Sequence, residues 1–305
     1  RILLALISLF AIITITYFLM NLMPGDPFMS EKASEENRAI LIAKYGLDQP
    51  VYVQYLIWLK NVLSGNLGTS YRTMRPVAEM VAERIGPTLM LTVTALIIAL
   101  VIAIPLGIIS AYKPYSAWDY GSSVFAFIGA ATPNFFAAMI LIYVFSIKAG
   151  WLPTSGMYDV QGPQNLATLV HHIILPVITL MLQYVGIYTR YMRSSMLEVL
   201  SDDYIRTARA KGLREKTVIF KHALKNSLIP LVTQVGLSLP ALIGGTIITE
   251  QVFGWPGMGT LMVQSINYRD YPTIMGITVL IAGFVLVGNI VIDLFYSVLD
   301  PRVSR

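Results

Sequence analysis

The 305-residue chain contains no cysteine and few charged residues, and both absences narrow what it can do. Without cysteine it has no disulfide framework, no thiol nucleophile and no thiolate metal site. Charged residues make up 13% of the chain, against about 25% in soluble domains, while 55% of its residues are hydrophobic. This composition predicts a membrane protein. The formal net charge of +5 comes without the basic and aromatic groove pattern of nucleic-acid binders, so no nucleic-acid partner is expected.

The sequence also lacks the signatures of nucleotide and zinc chemistry. It contains no Gly-x-x-x-x-Gly-Lys-Ser/Thr phosphate-binding loop and no His-Glu-x-x-His pair. His171 and His172 are adjacent, so on a helix they point in different directions, and we interpret them as interfacial polar groups. Ser238 lies among small residues without an evident base partner for nucleophilic catalysis. We therefore predict no catalytic residue, no metal site and no cofactor bound by this chain.

Long apolar runs are abundant, and six of them are long enough to cross about 30 Å of hydrocarbon, which takes about 20 helical residues. They predict an all-α polytopic membrane protein with a single transmembrane domain over residues 1–305. The third run is interrupted at Ala131-Thr132-Pro133-Asn134, and the fourth contains Pro176. The predicted spans are about 2–22, 88–111, 120–147, 166–189, 228–249 and 273–299.

A long loop, residues 24–87, follows the first predicted span and is mixed in charge. Glu35–Tyr45 and Val51–Leu63 carry apolar residues at helical spacing, and a third predicted helix has Val77 and Val81 on one face. The loop is too long and too regularly patterned to be a linker. We therefore predict short helices within it.

Positive charge is concentrated in a second loop, residues 190–227, between the fourth and fifth spans. Nine of the 22 Lys and Arg residues lie in it, whereas the short loops of the opposite side hold only Lys148 and Arg269. Cytoplasmic loops carry the excess of Lys and Arg in membrane proteins. This distribution predicts that the second loop and both chain termini are cytoplasmic and that loop 24–87 is extracytoplasmic.

The second loop carries the signals of a short capped helix. Ser201 is the predicted N-cap, because its hydroxyl can accept from an unpaired N–H, and Asp203 lies in the first turn, where negative charge suits the helix dipole. Arg209 and Lys211 lie in the predicted last turn, where positive charge suits the dipole, and Gly212 is predicted to end the helix with a positive φ angle. A second helix over about 215–226 follows. Charge alone is equally typical of a solvated cytoplasmic loop.

The predicted spans contain almost no ionisable residues. Apart from His171, His172 and Asp293, their interiors are neutral. Carriers coupled to protons or sodium usually place acids or bases within their spans. An ion-coupled secondary carrier is therefore an alternative that lacks its usual coupling residues. An intramembrane enzyme is a further alternative, and it lacks a nucleophile-base pair.

Several motifs carry a resemblance to one transporter family. Residues 203–212 resemble the EAA loop of ABC importer permeases and are similar to the oligopeptide and dipeptide branch in particular. Of the Glu-Ala-Ala trio only Ala208 is retained, and the closing proline is delayed to Pro230. The resemblance covers essentially the whole chain. The other matching segments are Met-Pro-Gly-Asp-Pro at 23–27, Phe-Gly-Trp-Pro-Gly-Met-Gly at 253–259, Asn-Tyr-Arg-Asp-Tyr-Pro at 267–272 and Asp-Pro-Arg at 300–302.

The resemblance implies a permease subunit that forms half of a translocation pathway for peptides and is not itself an enzyme. It implies three kinds of protein partner: a second homologous permease, two cytoplasmic ABC ATPase subunits that use ATP and magnesium, and an extracytoplasmic substrate-binding protein. The expected location is a bacterial or archaeal cytoplasmic membrane, in contact with its lipid. A permease of the same branch for another solute, such as a metal chelate, remains open.

The resemblance also implies that residues 201–212, which we call the coupling segment, dock in a cleft of an ATPase subunit. Tyr204, Ile205 and Ala208 are the expected docking contacts, and Arg209 and Lys211 are expected to pair with acidic groups at the rim. The predicted coupling residues are Asp203, Tyr204, Ile205, Thr207, Ala208, Arg209, Lys211 and Gly212.

Small residues in the fifth span and the loop after it suit a moving gate. Close helix packing explains these glycines equally well, since small residues let helix backbones approach. Residues 250–272 are predicted to dip back into the outer face as a plug-like loop with a short helix at 258–266. The predicted pathway and gate residues are Gly236, Pro240, Gly244, Gly245, Pro256 and Gly257.

Overall fold

The computed structural model of the protein describes residues 2–22, 39–40, 42–43, 45–244 and 246–299. This part of the chain is helical, as predicted, with one isolated antiparallel bridge between Thr69 and Pro76. Two π-helical stretches, Ile142–Lys148 and Val218–Ala223, lie directly after α5 and directly before α9. In chain order the helices are α1 (Ile2–Asn21), α2 (Val51–Leu63), α3 (Val77–Tyr112), α4 (Ala117–Ala131), α5 (Asn134–Leu141), α6 (Leu166–Leu200), α7 (Asp203–Ala210), α8 (Glu215–Thr217), α9 (Leu224–Gly244), α10 (Ile247–Val252), α11 (Met258–Asn267) and α12 (Tyr271–Leu299).

The chain groups into two units, residues 1–88 with 256–291 and residues 89–255 with 292–305. Unit one contains two buried apolar clusters. One joins α1, α2 and the start of α12, and the other joins the start of α3 to α11 and α12. The buried members are Tyr17, Met20, Tyr55, Ile274 and Met275 in the first cluster, and Val77, Met80, Val81, Met258, Leu261 and Ile277 in the second.

A buried carboxylate holds the loop before α3 to the turn between α11 and α12 in unit one. Asp270 accepts hydrogen bonds from Ser70 Oγ at 2.5 Å, from the Tyr71 backbone N–H at 2.9 Å and from Thr273 Oγ1 at 2.7 Å. Three donors compensate the cost of burying an ionised carboxylate. The Asn-Tyr-Arg-Asp-Tyr-Pro motif at 267–272 therefore has a structural role, the attachment of this loop through Asp270, that the sequence alone did not reveal.

Unit two is built around α6, a 35-residue helix. The helix continues to Leu200, eleven residues past the end of the predicted fourth span. The extension keeps the apolar stripe of the helix, with Met192, Met196 and Val199 buried at helical spacing. Burial against neighbouring elements, rather than hydrophobicity alone, therefore determines where this helix ends.

The boundary of the predicted second span also differs from the structure. Helix α3 begins at Val77, so its first turns lie in the predicted extracytoplasmic loop and run through Pro87. Val77 and Val81 are fully buried against α11 and α12 in unit one, and this packing stabilises the additional helical turns. The predicted short helix around Val77 and Val81 is thus the first part of a longer one.

Three helices are long and apolar enough to cross a membrane within the described residues, namely Val77–Tyr112, Leu166–Leu200 and Tyr271–Ile290. The pair Ala117–Ala131 and Asn134–Lys148 adds a fourth candidate, bent by 102° at its break. That break confirms the predicted interruption of the third span. Pro133 has no N–H to donate and disfavours the helical conformation at the residue before it, which explains the bend.

The predicted first and fifth spans are not among the helices that are long and apolar enough to cross a membrane within the described residues. Helix α1 has 20 residues, and the part of it whose side chains are described, Leu6–Asn21, is apolar but shorter than a full span. Helix α9 ends at Gly244, and Ile247 begins α10 after a turn at Thr246. The structure thus supports a membrane protein with several apolar helices, while the number of six spans stays a prediction.

Candidate functional site

The helix of the coupling segment, α7, begins one residue later than the sequence predicts. Asp202, with an extended backbone, is the N-cap of α7, and its carbonyl accepts from the N–H groups of Ile205 and Arg206. Ser201 instead ends α6, and its hydroxyl donates to the carbonyl of Glu198 at 2.7 Å. The predicted N-cap role of Ser201 is therefore wrong, because the unforeseen extension of α6 reaches Leu200.

The other end of the coupling segment agrees with the prediction. Gly212 has a φ angle of 75°, and its N–H donates to the carbonyl of Arg209 at 2.9 Å. An ion pair crosses this elbow, with Arg209 Nη2 2.8 Å from Glu215 Oε1 and Nε 3.3 Å from Oε2. The hydrogen bonds that Arg209 donates to the Glu215 carboxylate raise the pKa of Arg209 above its usual value. Lys211 is the C-cap residue rather than a member of the last turn.

One face of α7 is buried within its own chain. Ile205 is fully buried and Ala208 is 7% exposed. They pack into an apolar cluster of unit two, which we call the coupling core and which joins α3, α6, α7, the second π-helical stretch and α9. Its buried members are Leu96, Ala103, Ile108, Ala111, Tyr188, Met192, Met196, Val199, Ile205, Ala208, Val218, Ile219, Ala223 and Leu231.

This burial leaves little surface of Ile205 and Ala208, two of the three predicted docking contacts, for a partner subunit. The sequence predicts that Ile205 and Ala208 contact an ATPase subunit, because an isolated helix cannot bury so narrow a stripe. In the structure the helix is not isolated, since the second π-helical stretch and α6 cover this face. The two residues anchor the coupling segment, and surfaces available to a partner lie on the opposite side.

The exposed face of the coupling segment is polar and carries both signs of charge. Thr207 Oγ1 donates to the carbonyl of Asp203 at 2.9 Å, and Arg206 Nη2 lies 3.1 Å from Asp203 Oδ1. The Tyr204 hydroxyl accepts from Asn226 Nδ2 at 2.8 Å, which ties the segment to α9. Asp203, Tyr204, Thr207, Arg209, Lys211 and Gly212 are the predicted coupling residues that this face exposes.

Gly212→Ala should destabilise the elbow through the backbone alone. An added Cβ meets no atom within 4 Å, so the cost of about 1–2 kcal/mol comes from the positive φ angle. We expect a lower unfolding temperature of the purified protein. Gly121→Ala is the matched control, because Gly121 also has open space but lies within α4, where alanine favours the helix. Equal shifts in the two variants would contradict the role of the elbow.

The predicted gate residues lie in different surroundings. Gly236 lies within α9. Gly245 and the side chains of Pro240 and Gly244 lie outside the described residues. Gly257 has an extended backbone and is the N-cap of α11, whose bounds at Met258–Asn267 confirm the short helix predicted after Pro256.

The first half of the motif at 253–259 forms a tightly packed turn in unit two. Phe253 and Trp255 are buried, and the Phe253 carbonyl accepts from the Gly156 N–H at 2.8 Å. Gly254 has a φ angle of 55° and approaches Ser155 closely. The positive φ angle is the reason that glycine is favoured here, since an added Cβ would make only ordinary van der Waals contacts.

The adjacent histidines bind different partners near this turn. His171 Nε2 lies 2.8 Å from the Trp151 carbonyl oxygen, while His172 Nδ1 lies 3.1 Å from the Gly156 carbonyl oxygen. His172 Nε2 also lies 3.1 Å from Asp159 Oδ1. Among the described residues, no group of three or more metal-binding side chains comes together. We therefore interpret the histidines as connectors between α6 and the loop before it.

Sequence reasoning missed an ion pair with a buried carboxylate in unit two. Asp119, near the start of α4, contacts Arg193 on α6, and Ser110 at the end of α3 completes the cluster. Arg193 was counted only as a positive charge of the second loop. Ser116 caps α4 by accepting from the Asp119 N–H, and this capping pattern was the signal available in the sequence.

Comparison with known proteins defines the class to which this fold and site belong. A family model described as binding-protein-dependent transport system inner membrane component matches residues 103–305. A second, described as the N-terminal part of a binding-protein-dependent transport system membrane component, matches residues 1–92. The chain therefore belongs to the family of binding-protein-dependent transport system inner membrane components, whose members are transport subunits and not enzymes.

Curated relatives match along the full length. The oligopeptide transport system permease protein AppB of Bacillus subtilis is 46% identical over 308 residues, covering 100% of this chain and 98% of that protein. The dipeptide transport system permease protein DppB of Alkalihalophilus pseudofirmus is 40% identical over 326 residues, covering 100% and 98%. The oligopeptide transport system permease protein OppB of Haemophilus influenzae is 38% identical over 305 residues, covering 99% and 97%.

The fold is also similar to that of a solved transporter. An inward-facing structure of the methionine ABC transporter MetNI aligns with a TM-score of 0.58 and 17% sequence identity. The alignment covers 73% of this chain and 97% of that chain. It shows that the two chains share a fold over the aligned part.

Proposed function

We propose that this chain is the permease subunit of an ATP-driven importer of peptides and forms half of the translocation pathway. The full-length identity of 46% to an oligopeptide permease carries the proposal. The near absence of ionisable residues from the predicted spans supports it, because an ion-coupled carrier would need such groups. A permease of the same branch for another solute, such as a metal chelate, is the alternative substrate class.

The proposal includes the partners of the complex. The chain pairs with a second homologous permease, and two cytoplasmic ABC ATPase subunits bind ATP and magnesium. An extracytoplasmic substrate-binding protein delivers peptide to the outer side. The complex lies in a bacterial or archaeal cytoplasmic membrane, with both termini of this chain and its coupling segment on the cytoplasmic side.

The coupling segment is the proposed link to the ATPases. Its outer face, with Tyr204, Thr207 and Lys211, docks in a cleft of one ATPase subunit. Its inner face is anchored by Ile205 and Ala208 in the coupling core. Closure of the ATPase dimer therefore pushes on an element that is packed against α3, α6 and α9. Rigid movement of these helices about the pathway then provides alternating access.

Reconstitution tests this function directly. The permease pair, its ATPase subunits and the binding protein are assembled in lipid vesicles, and ATP hydrolysis is measured with and without peptide-loaded binding protein. We expect stimulation by a peptide and accumulation of that peptide in the vesicle compartment that corresponds to the cytoplasm. Stimulation by a metal chelate in place of peptide would favour the alternative substrate class. Transport by this chain alone would overturn the proposal.

The proposed orientation predicts which sites are reached by a membrane-impermeant thiol reagent. The chain has no cysteine of its own, so Val160→Cys and Lys216→Cys each introduce a unique thiol. Val160 is fully exposed in the loop before α6, and Lys216 is exposed in the second loop. We expect intact cells to label at position 160 and to label at position 216 only after permeabilisation. Labelling of position 216 in intact cells would reverse the orientation.

A further inference from the structure

An ion pair between a buried carboxylate and a half-buried guanidinium joins three helices in unit two. The Arg193 guanidinium on α6 donates to both carboxylate oxygens of Asp119 on α4, from Nε to Oδ1 at 2.7 Å and from Nη2 to Oδ2 at 2.8 Å. Ser110 at the end of α3 donates to Asp119 Oδ1 and accepts from Arg193 Nε at 3.1 Å. The Tyr115 N–H donates to Asp119 Oδ2 at 2.9 Å. Asp119 is only 4% exposed.

The same two helices, α4 and α6, touch again further along their length. A Cβ added at Gly186 would collide with the Ala126 carbonyl oxygen and lie 2.7 Å from Ala130 N. One added at Gly129 would lie 2.5 Å from the Leu182 carbonyl oxygen. Along α6 the contacts run from Leu182 through Gly186 to Arg193. Along α4 their partners run in the opposite direction, from Gly129 through Ala126 to Asp119. The two helices are therefore antiparallel and in close contact over about three turns.

The energetics of the ion pair indicate a role beyond stability. Burying the Asp119 carboxylate and half-burying the Arg193 guanidinium costs free energy that offsets much of their attraction, so such a pair is weak support for a fold by itself. A two-pronged arginine–carboxylate contact does, however, fix relative orientation and register. The pair holds one particular alignment of α4 on α6, which the glycine contacts alone would allow to slide.

The pair also supplies a connection that the coupling core does not make. Within the described part of the chain, the members of that core come from α3, α6, α7, the second π-helical stretch and α9. Helix α4 is instead linked to α3 and α6 by Asp119, which contacts Ser110 and Arg193. Beyond α4 the chain bends by 102° into α5, and Asn134 at that bend donates to Gln183 Oε1 on α6 at 3.1 Å.

We propose that Asp119 and Arg193 are positioning residues that stay paired through the transport cycle and make α4 follow α6. Movement of the coupling segment then reaches the bent α4–α5 pair as well as the helices of the coupling core. This inference rests on the proposed function and assigns to that function the step that connects α6 with α4.

Three variants of the pair separate positioning from simple stability. Asp119→Asn leaves the half-buried Arg193 without its charge partner, and Arg193→Gln leaves the buried Asp119 without its own, so both should lower the unfolding temperature. The double variant removes both charges and should recover most of that stability. We expect the amount of peptide transported per ATP hydrolysed to stay reduced by roughly tenfold in the double variant. Recovery of this ratio together with stability would overturn the proposal.

A covalent replacement of the pair provides the second measurement. Asp119→Cys with Arg193→Cys introduces the only two thiols of this chain, and a short bifunctional thiol reagent links them after assembly. We expect low transport per ATP before linking and recovery after it, because the tether restores the alignment of α4 on α6. A linked complex that hydrolyses ATP but does not transport would show that the pair must open, which would overturn the proposal.

Two controls make the outcome specific. Arg75→Gln with Glu83→Gln removes an exposed ion pair in unit one with a 2.5 Å contact, and it should leave transport per ATP unchanged. The wild-type complex must show peptide-stimulated hydrolysis in the same preparation. A wild-type complex without stimulation would refute the proposed function itself, whereas a stimulated wild type beside unaffected variants would refute only the role of Asp119 and Arg193.

Discussion

Ala208→Asp should destabilise the permease by itself, before any partner is added. Ala208 packs with Ile205 in the coupling core. Ala208 is only 7% exposed, so an aspartate there would place an unpaired carboxylate largely among apolar side chains. We expect a loss of roughly 3–5 kcal/mol and a lower unfolding temperature of the detergent-purified permease without ATPase subunits.

The neighbouring alanine on the same helix is a close control. Ala210 is exposed, so Ala210→Asp adds the same group at the same end of α7 without burying it. Its unfolding temperature should stay near that of the wild type. If both variants were equally stable and Ala208→Asp only lost ATPase subunits from the complex, Ala208 would belong to the partner surface after all.

Cysteine cross-linking distinguishes the two faces of the coupling segment in the assembled complex. Thiols at Thr207 and Lys211 should link to the ATPase subunit, since both positions are exposed. Thiols at Ile205 and Ala208 should not link, because their own chain covers them. The reverse pattern would contradict the proposed docking face.

Gly186→Leu should push α4 away from α6 and abolish transport. The Cβ position of Gly186 is already crowded by the Ala126 carbonyl oxygen and by the backbone nitrogen and Cβ of Ala130. Helix backbone and so short a side chain cannot move aside. Overpacking of this kind costs about 1–3 kcal/mol and forces backbone shifts. The measurements are the unfolding temperature and peptide transport per ATP.

Gly283→Leu provides the matched substitution for Gly186→Leu. Gly283 lies within α12, and an added Cβ there meets nothing within 4 Å. Leucine favours a helix by up to about 1 kcal/mol over glycine, so this variant should keep or gain stability. Equal losses in both variants would mean that the close contact of α4 with α6 does not matter.

Sequence reasoning predicted the features that depend on local chemistry. Hydrophobicity and charge deficit identified a helical membrane protein, and Gly212 was recognised as an elbow because only glycine adopts positive φ at little cost. The break at Pro133 followed from the missing N–H of proline. Motif order identified the permease family along the whole chain.

The burial of Ile205 and Ala208, the extension of α6 to Leu200 and the pairing of Asp119 with Arg193 were decided by the tertiary structure. Each depends on residues far apart in the chain: the coupling core spans positions 96–231, and the ion pair joins residues 74 positions apart. A single sequence shows which side chains are apolar or charged. It does not show which of them meet, because an apolar stripe fits a partner protein or its own core equally well until the chain folds back and covers it.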